Sequence, residues 1–291
     1  MDTDRKQGKL YLCATPIGNL EDITLRVLRT LREVDLIAAE DTRNSIRLLN
    51  HFEIRTPLTS YHEYNKIDKA YELIDAMRRG KNIALITDAG SPGISDPGED
   101  LVRICYEEEI EVTALPGASA CVTALTLSGL PARRFSFEAF LPREKKERTA
   151  VLKELSEDTR TIVVYEAPHH LVQTLKDLLE ALGERDIAVC RELTKVHETV
   201  WRTSFSKAIS RYEAEGVRGE CVIVIEGRDP GKAEEESQAR WREMPLDEHM
   251  EQYLQQGMSR KDAMKAVAKD RGISKREVYS LLLEEKGNSE G

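Results

Sequence analysis

"ALITDAGSPGISDPGEDLV", Ala84–Val102, is the stretch on which the fold turns. Its apolar start reads as a strand. The strand breaks into a loop with three glycines and two prolines, and the loop runs into a helical pattern. Gly90 and Gly93 permit backbone angles and close approaches that a Cβ would block. Asp96, Pro97 and Glu99 spell a helix start, with Asp as N-cap, Pro at N1 and Glu at N3. The second half of the stretch therefore has a purely structural account. "DAGSPG" has none, and a strand that opens through glycines into a helix brings its backbone close to a ligand.

The same alternation runs outward in both directions. Strands are expected at Leu10–Ala14, Leu36–Glu40, Ile83–Thr87, Val112–Leu115, Thr161–Glu166, Ile187–Glu192 and Val222–Glu226. Helical patterns separate them at Ile23–Glu33, Thr42–Phe52, Lys66–Arg79, Glu99–Glu107, Ser119–Leu127, Leu171–Ala181 and Phe205–Glu215. Short β-rich runs alternating with helices of about ten residues imply an α/β fold with mostly parallel sheets. The series pauses at "SGLPARRFSFEAFLPREKKER", so one α/β domain is expected over residues 9–128 and a second over 129–229. The acidic stretch 230–243 reads as a linker. Residues 244–287 form a helical module with two capping boxes, Ser259 with Asp262 and Ser274 with Glu277. Ile273 and Val278 add a hydrophobic staple, giving a helix-turn-helix-like unit.

Composition narrows the function. The 291 residues are 40% hydrophobic and 33% charged, which suits a globular protein of two domains and an appendage. No apolar run approaches the roughly 20 residues of a membrane helix. "MDTDRKQGKLYLCATP" lacks a signal-peptide core. Five dispersed cysteines without metal-ligand spacing point to reduced, buried thiols in a cytoplasmic protein and to no metal. A net charge of -9 gives no whole-molecule attraction to nucleic acid. Yet Leu130–Lys153 carries seven Lys/Arg against three Glu, and Met258–Arg276 seven against two Asp. Each patch is either a surface for an anionic partner or a solvated helix face.

P-loop, G-x-G-x-x-G, H-E-x-x-H and G-x-S-x-G patterns are absent, which leaves NTPase, ordinary Rossmann, metalloprotease and hydrolase readings without support. The remaining signals sit where strands end, the place open α/β sheets use for ligands. In "ATPIGNLED", Asp22 can cap the following helix. In "AAEDTRNS", Glu40, Asp41 and Arg43 crowd one strand end, as a catalytic group or as a self-neutralising cluster. "DAGSPG" and "LPGASA" add two turns of small residues. Together they describe a groove for a flat, mostly neutral ligand. An adenine ring carrying a sulfonium amino acid fits it better than a triphosphate.

"YLCATPIGNLEDITLRVLRTLREVDLIAAEDTRNS", "LITDAGSPGISDPG", "LPGASACVTALTLSGLP", "YEAPHHL", "RELTKVHET" and "GECVIVIEG", in this order, resemble the tetrapyrrole methylase family, and within it the RNA-modifying branch. The resemblance implies S-adenosylmethionine folded into a cleft between two α/β domains of a homodimer. Gly90-Ser91-Pro92 stands where much of the family has Gly-Asp-Pro. By that match Gly90, Ser91, Pro92 and Ile94 contact the cofactor. Ser119 and Ala120 hold its adenine or amino-acid end. Tyr165, Ala167 and Pro168 close over it, with Gly219 and Glu220 near the adenine. The implied activity is 2′-O-methylation of a cytidine ribose in 16S ribosomal RNA of the small subunit, near the decoding centre.

Displacement at a sulfonium needs the hydroxyl held in line, helped by a base or a charged orienting group. Asp41 with Arg43 is the first candidate, and Lys195, Asp88, Glu166 and Glu192 are alternatives; His169 reads as a packing residue as readily as a base. RNA phosphates would meet Arg133, Arg134, Arg143, Lys145, Lys146 and Arg148. The tail would add Arg260, Lys261, Lys265, Lys269, Arg271, Lys275 and Arg276. Tyr61, Tyr64 and Phe135 are candidates for base stacking. Two rival readings remain, a methyltransferase of tetrapyrrole precursors and a DNA-binding regulator.

Overall fold

The computed structural model describes residues 7–95 and 97–289. Asp96, expected as a helix cap, lies outside the described residues. The chain divides into two compact units. One runs as far as Leu152 and resumes over Thr161–Glu226; the other joins Lys153–Arg160 to Gly227–Gly291.

The first unit holds two five-stranded sheets. The first sheet contains β1 (Lys9–Cys13), β2 (Leu36–Ala39), β3 (Leu58–Ser60), β4 (Ile83–Ile86) and β5 (Glu111–Leu115). Its order is β3-β2-β4-β1-β5 and every pairing is parallel. Such a sheet must be covered on both faces. Helices α1 (Leu25–Glu33) and α2 (Thr42–His51) pack Val27, Leu31 and Leu49 against Ile37 and Ile86. On the other face α3 (Lys66–Arg78) and α4 (Glu99–Glu107) pack Leu73, Met77, Leu101 and Ile104 against Leu10 and Leu85. Because all five strands run the same way, their carboxyl ends share one edge, where the four turns singled out in the sequence converge.

Helix α5 (Ala120–Ser128) leaves this sheet and packs Cys121, Ala124 and Leu125 on the second, against Val163, Ala188, Val222 and Val224. It does so although the sequence pattern puts the domain boundary after it, at Gly129. The second sheet contains β6 (Phe135–Phe140), β7 (Thr161–Glu166), β8 (Asp186–Arg191), β9 (Thr199–Ser204) and β10 (Cys221–Ile225), in the order β6-β7-β10-β8-β9. Here only β6 and β7 pair in parallel. The short loop from β8 to β9 can only turn the chain back, since a parallel crossover needs a dozen or more residues. Helices α6 (Lys145–Glu157), α7 (Leu171–Leu182) and α8 (Phe205–Glu215) connect these strands. The strands absent from the sequence pattern, β3, β6 and β9, are all edge strands. These three lack the apolar run that marks a central strand, although β5, the fourth edge strand, is read from the sequence.

Two helix starts differ from expectation. Thr24, not Asp22, caps α1, its hydroxyl accepting the Val27 N–H at 3.1 Å, while Asp22 ends a 3-10 turn over Leu20–Asp22. Helix α4 opens with Gly98 at its N-cap, so Pro97 lies before the helix rather than in its first turn.

In the second unit the stretch expected as a linker is helix α9 (Pro230–Glu243), capped by Asp229 through the Gly231 amide at 2.8 Å. The acidic composition there belongs to a helix and not to a linker. Helices α10 (Leu246–Gln255), α11 (Arg260–Asp270) and α12 (Lys275–Ser289) bury Leu246, Met250, Val267 and Val278 together, with Ile273 packed against them. The α12 capping box is complete: Ser274 N–H donates to Glu277 at 2.7 Å and Glu277 N–H to the Ser274 hydroxyl at 3.2 Å. At α11, Asp262 is one methylene shorter, and its carboxylate takes the Ser259 hydroxyl at 2.6 Å instead of the backbone. Among the described residues no helix is long and apolar enough to cross a membrane.

Ile223 is fully buried in β10, the middle strand of its sheet. Ile223→Ala should cost about 2–5 kcal/mol, read as a lower urea midpoint at unchanged slope.

Candidate active site

Thr15, just beyond β1, ties two of the turns together. Its N–H donates to the Gly90 carbonyl at 2.9 Å and the Gly90 N–H returns to Thr15 O at 3.1 Å. The Thr15 hydroxyl donates to the Thr87 carbonyl at 3.0 Å. Gly90 has φ +82°, and a Cβ there would lie 3.6 Å from Ile17 and 3.7 Å from the Ala118 carbonyl. Three turns therefore meet at this residue. Beside them lies a mostly apolar cavity of about 650 Å³, lined among others by Leu12, Ser91, Pro92, Ile94, Ala114 and Pro116. Its size is that of a small-ligand site.

The "LPGASA" turn starts α5. Ser119 is its N-cap, accepting the Val122 N–H at 3.5 Å, and Ala120 is its first residue. The Cys121 amide donates to the Tyr165 hydroxyl at 2.9 Å, so a side chain of the second sheet meets the helix start. Next to Tyr165, buried Glu166 accepts the Ala167 N–H at 2.8 Å and the Thr174 hydroxyl at 2.5 Å. Arg148 donates to Thr174 at 2.9 Å and to Asp177 at 2.7 Å. This chain holds the Ala167–Pro168 turn. It removes Glu166 from the candidate bases and Arg148 from the candidate RNA contacts.

A second cluster surrounds Lys195. Its stem lies over Gly18, where a Cβ would sit 2.4 Å from Lys195 Cγ. Its ammonium donates to Glu192 at 3.0 Å and Glu220 at 2.9 Å. Burial opposes the charge on Lys195, but the hydrogen bonds to Glu220 and Glu192 outweigh it and hold the group above its ordinary pKa. For Glu192 burial likewise opposes charge, and the bonds from Lys195 and the Glu220 amide win, holding it below the usual carboxylate range. A lysine so held is a fixed cation and no base. Glu192 (φ +50°) and Thr194 (φ +66°) both adopt the left-handed region, a strain of about 1–3 kcal/mol each that gathers at functional sites. Gly219 (φ +78°) is required here, since a Cβ would fall 2.3 Å from Glu192 Cδ.

At the neighbouring strand end Arg43 grips Asp41 with Nε at 3.1 Å and Nη2 at 2.7 Å, while Asp41 also caps α2. The Arg43 side-chain bonds bring the Asp41 carboxyl down to about 2. So acidic a group takes protons poorly near neutral pH, and the pair's use is to orient Arg43. Asp88 accepts from Asn44 at 2.8 Å and Glu40 from Thr87 at 2.9 Å. Tyr61 is fully buried and unavailable for stacking, whereas Tyr64 and Phe135 are exposed.

Arg133, Arg134, Arg143, Lys145 and Lys146 are exposed and form no ion pair among the described residues. Arg260, Lys261, Lys265, Lys269, Lys275 and Arg276 are exposed on α11 and α12. Arg271 differs: it is buried, donating to His249 Nδ1 at 3.2 Å and the Met244 carbonyl at 2.5 Å, so it is a structural residue of the helical unit. All five thiols are free and buried; burial pushes Cys13, Cys105, Cys190 and Cys221 up to about 12. Among the described residues no group of three or more His, Cys, Asp or Glu could hold a metal ion.

A parallel sheet and a mixed sheet, with glycine turns converging at the strand ends, define the class. Residues 9–209 match the tetrapyrrole (corrin/porphyrin) methylases, and the chain belongs to that family. It is 47% identical over 279 residues to the "Ribosomal RNA small subunit methyltransferase I" of Halalkalibacterium halodurans, covering 96% of each chain. The protein of the same description from Thermotoga maritima is 47% identical over 222 residues, which are 76% of this chain and 100% of its own. The crystal structure of uroporphyrin-III C-methyltransferase from Thermus thermophilus complexed with S-adenyl homocysteine superposes with a TM-score of 0.53 at 18% identity. It covers 75% of this chain and 97% of its own, a likeness of fold.

Gly219→Ala should displace Glu192 and with it Lys195. Methyl transfer should fall on the order of a hundred-fold in kcat/KM, as displacements of about 1 Å do, with the far-ultraviolet circular dichroism unchanged.

Proposed function

We propose that this protein transfers the methyl group of S-adenosylmethionine to the 2′-hydroxyl of a cytidine ribose in 16S ribosomal RNA, in the small subunit near the decoding centre. The observation that carries the reading is the meeting of three small-residue turns at Gly90 beside a mostly apolar cavity. The identity to small-subunit RNA methyltransferases along nearly the whole chain supports it.

The bound cofactor supplies an electrophilic methyl group on a sulfonium. Gly90, Ser91, Pro92 and Ile94 form its seat. Ser119 and Ala120 hold one end at the start of α5, and Tyr165, Ala167 and Pro168 face it from the second sheet, with Gly219 and Glu220. Lys195 and Arg43 act as fixed cations that orient the ribose. With Asp41 too acidic and Lys195 protonated, catalysis rests on positioning, and the hydroxyl proton leaves to water. Arg133, Arg134, Lys145 and Lys146 take RNA phosphates, as do Arg260, Lys261, Lys275 and Arg276 of the helical unit. The protein works in the cytoplasm as a homodimer; exposed Val122 and Leu127 of α5 supply apolar surface for a second copy.

Incubation with labelled cofactor and undermethylated small subunits should place label on a ribose hydroxyl. Label found only on an added tetrapyrrole, or no label together with tight duplex DNA binding, would refute the reading. Removal of residues 244–291 should weaken RNA binding and leave cofactor affinity intact, measured by filter binding and calorimetry. A truncated protein that modifies subunits at the full rate would make the helices a packing module.

A further inference from the structure

Strand β6 reads Phe135-Ser136-Phe137-Glu138-Ala139-Phe140. In a regular strand, residues three apart point to opposite faces. Phe137 and Phe140 do not. Phe137 pairs with Val163 and Phe140 with Tyr165, so three steps on β6 match two on β7. The surplus residue makes a bulge, and Ala139 adopts φ +48° within it. That left-handed angle costs a non-glycine residue energy. In return Phe140 is turned onto the face that carries Phe137, Tyr165 and α5.

The outcome is an aromatic corner. The Phe137 and Phe140 rings both meet Tyr165 edge-on, with centroids 4.9 Å and 5.7 Å away. Tyr165 is pinned in turn by the Cys121 amide at the start of α5. Phe137 is half-buried, yet Phe140 is 57% exposed. An exposed phenylalanine held by a strained bulge is not needed for the core. Arg143, Lys145 and Lys146 follow it directly, exposed and without ion pairs among the described residues. A rigid ring beside free cations is the pattern of a site that stacks a base while neighbouring cations take the backbone phosphates.

We propose that the Ala139 bulge presents Phe140 as the stacking platform for a base of the RNA substrate, next to the transfer site. This rests on the function proposed above and adds the residue that receives the base. The labelled-cofactor assay with small subunits separates the two. If the wild-type protein transfers no label to RNA, the functional reading itself fails. If it does, Phe140→Ala should raise KM for the subunit about ten- to a hundred-fold, the range of one lost base stack. Cofactor affinity by calorimetry should stay unchanged. Phe140→Trp should restore KM, and Phe140→Leu, which keeps apolar packing without a ring, should not. An unchanged KM in the alanine variant, rescue by leucine as complete as by tryptophan, or a loss confined to cofactor affinity would each overturn the proposal; the last would assign the ring to the cofactor's adenine.

Discussion

Strands β1 and β4 run parallel, yet just past their ends Thr15 and Gly90 exchange hydrogen bonds in antiparallel fashion. The chain must therefore reverse within the few residues after β4, and it does so through a glycine at positive φ. That bridge brings the turn after β1 against the turn after β4, and the turn after β5 closes in at Ala118. Around it, the all-parallel register of the first sheet delivers every other strand end to the same edge. A β-carbon at Gly90 would meet Ile17 and the Ala118 carbonyl only at ordinary contact distance, so it is the φ of +82° in the reversal that asks for glycine.

Charge in this site is held in pairs. Asp41 is bound by Arg43, Lys195 by two glutamates, and Glu166 by a hydroxyl and an amide. The bonds between Asp41 and Arg43 and between Glu192 and Lys195 stabilise the ionised state of those four groups, so none of the four is poised to exchange a proton near neutral pH. Such pairs orient a substrate rather than exchange protons with it. That suits a reaction whose electrophile arrives already activated and whose main requirement is alignment. Strain lies where the pairs form, at Glu192 and Thr194, and again at Ala139 under the aromatic corner.

Central strands β1, β2, β4, β7, β8 and β10 were legible because burial on both faces demands continuous apolar runs. The glycine turns were legible because few other residues adopt their angles. Helices α4 and α8 matched the periodic pattern end to end. Three of the four edge strands, β3, β6 and β9, escaped, while the edge strand β5 was read at Val112–Leu115. The acidic helix α9 escaped because polarity alone does not distinguish a solvated helix from a tether.

Other features had no local signature at all. Nothing within Ala120–Ser128 says that this helix serves the second sheet, because its apolar side chains would suit either. Glu166 and Arg148 looked like free functional groups until their partners, Thr174 and Asp177 among them, took their hydrogen bonds, whereas the Asp41–Arg43 pair was already local in the sequence. Strand positions, turns and family membership are written in local pattern, where burial and backbone sterics act residue by residue. Which charges remain available, and which ring faces the substrate, depends on contacts between residues far apart in sequence, and only the folded chain decides them.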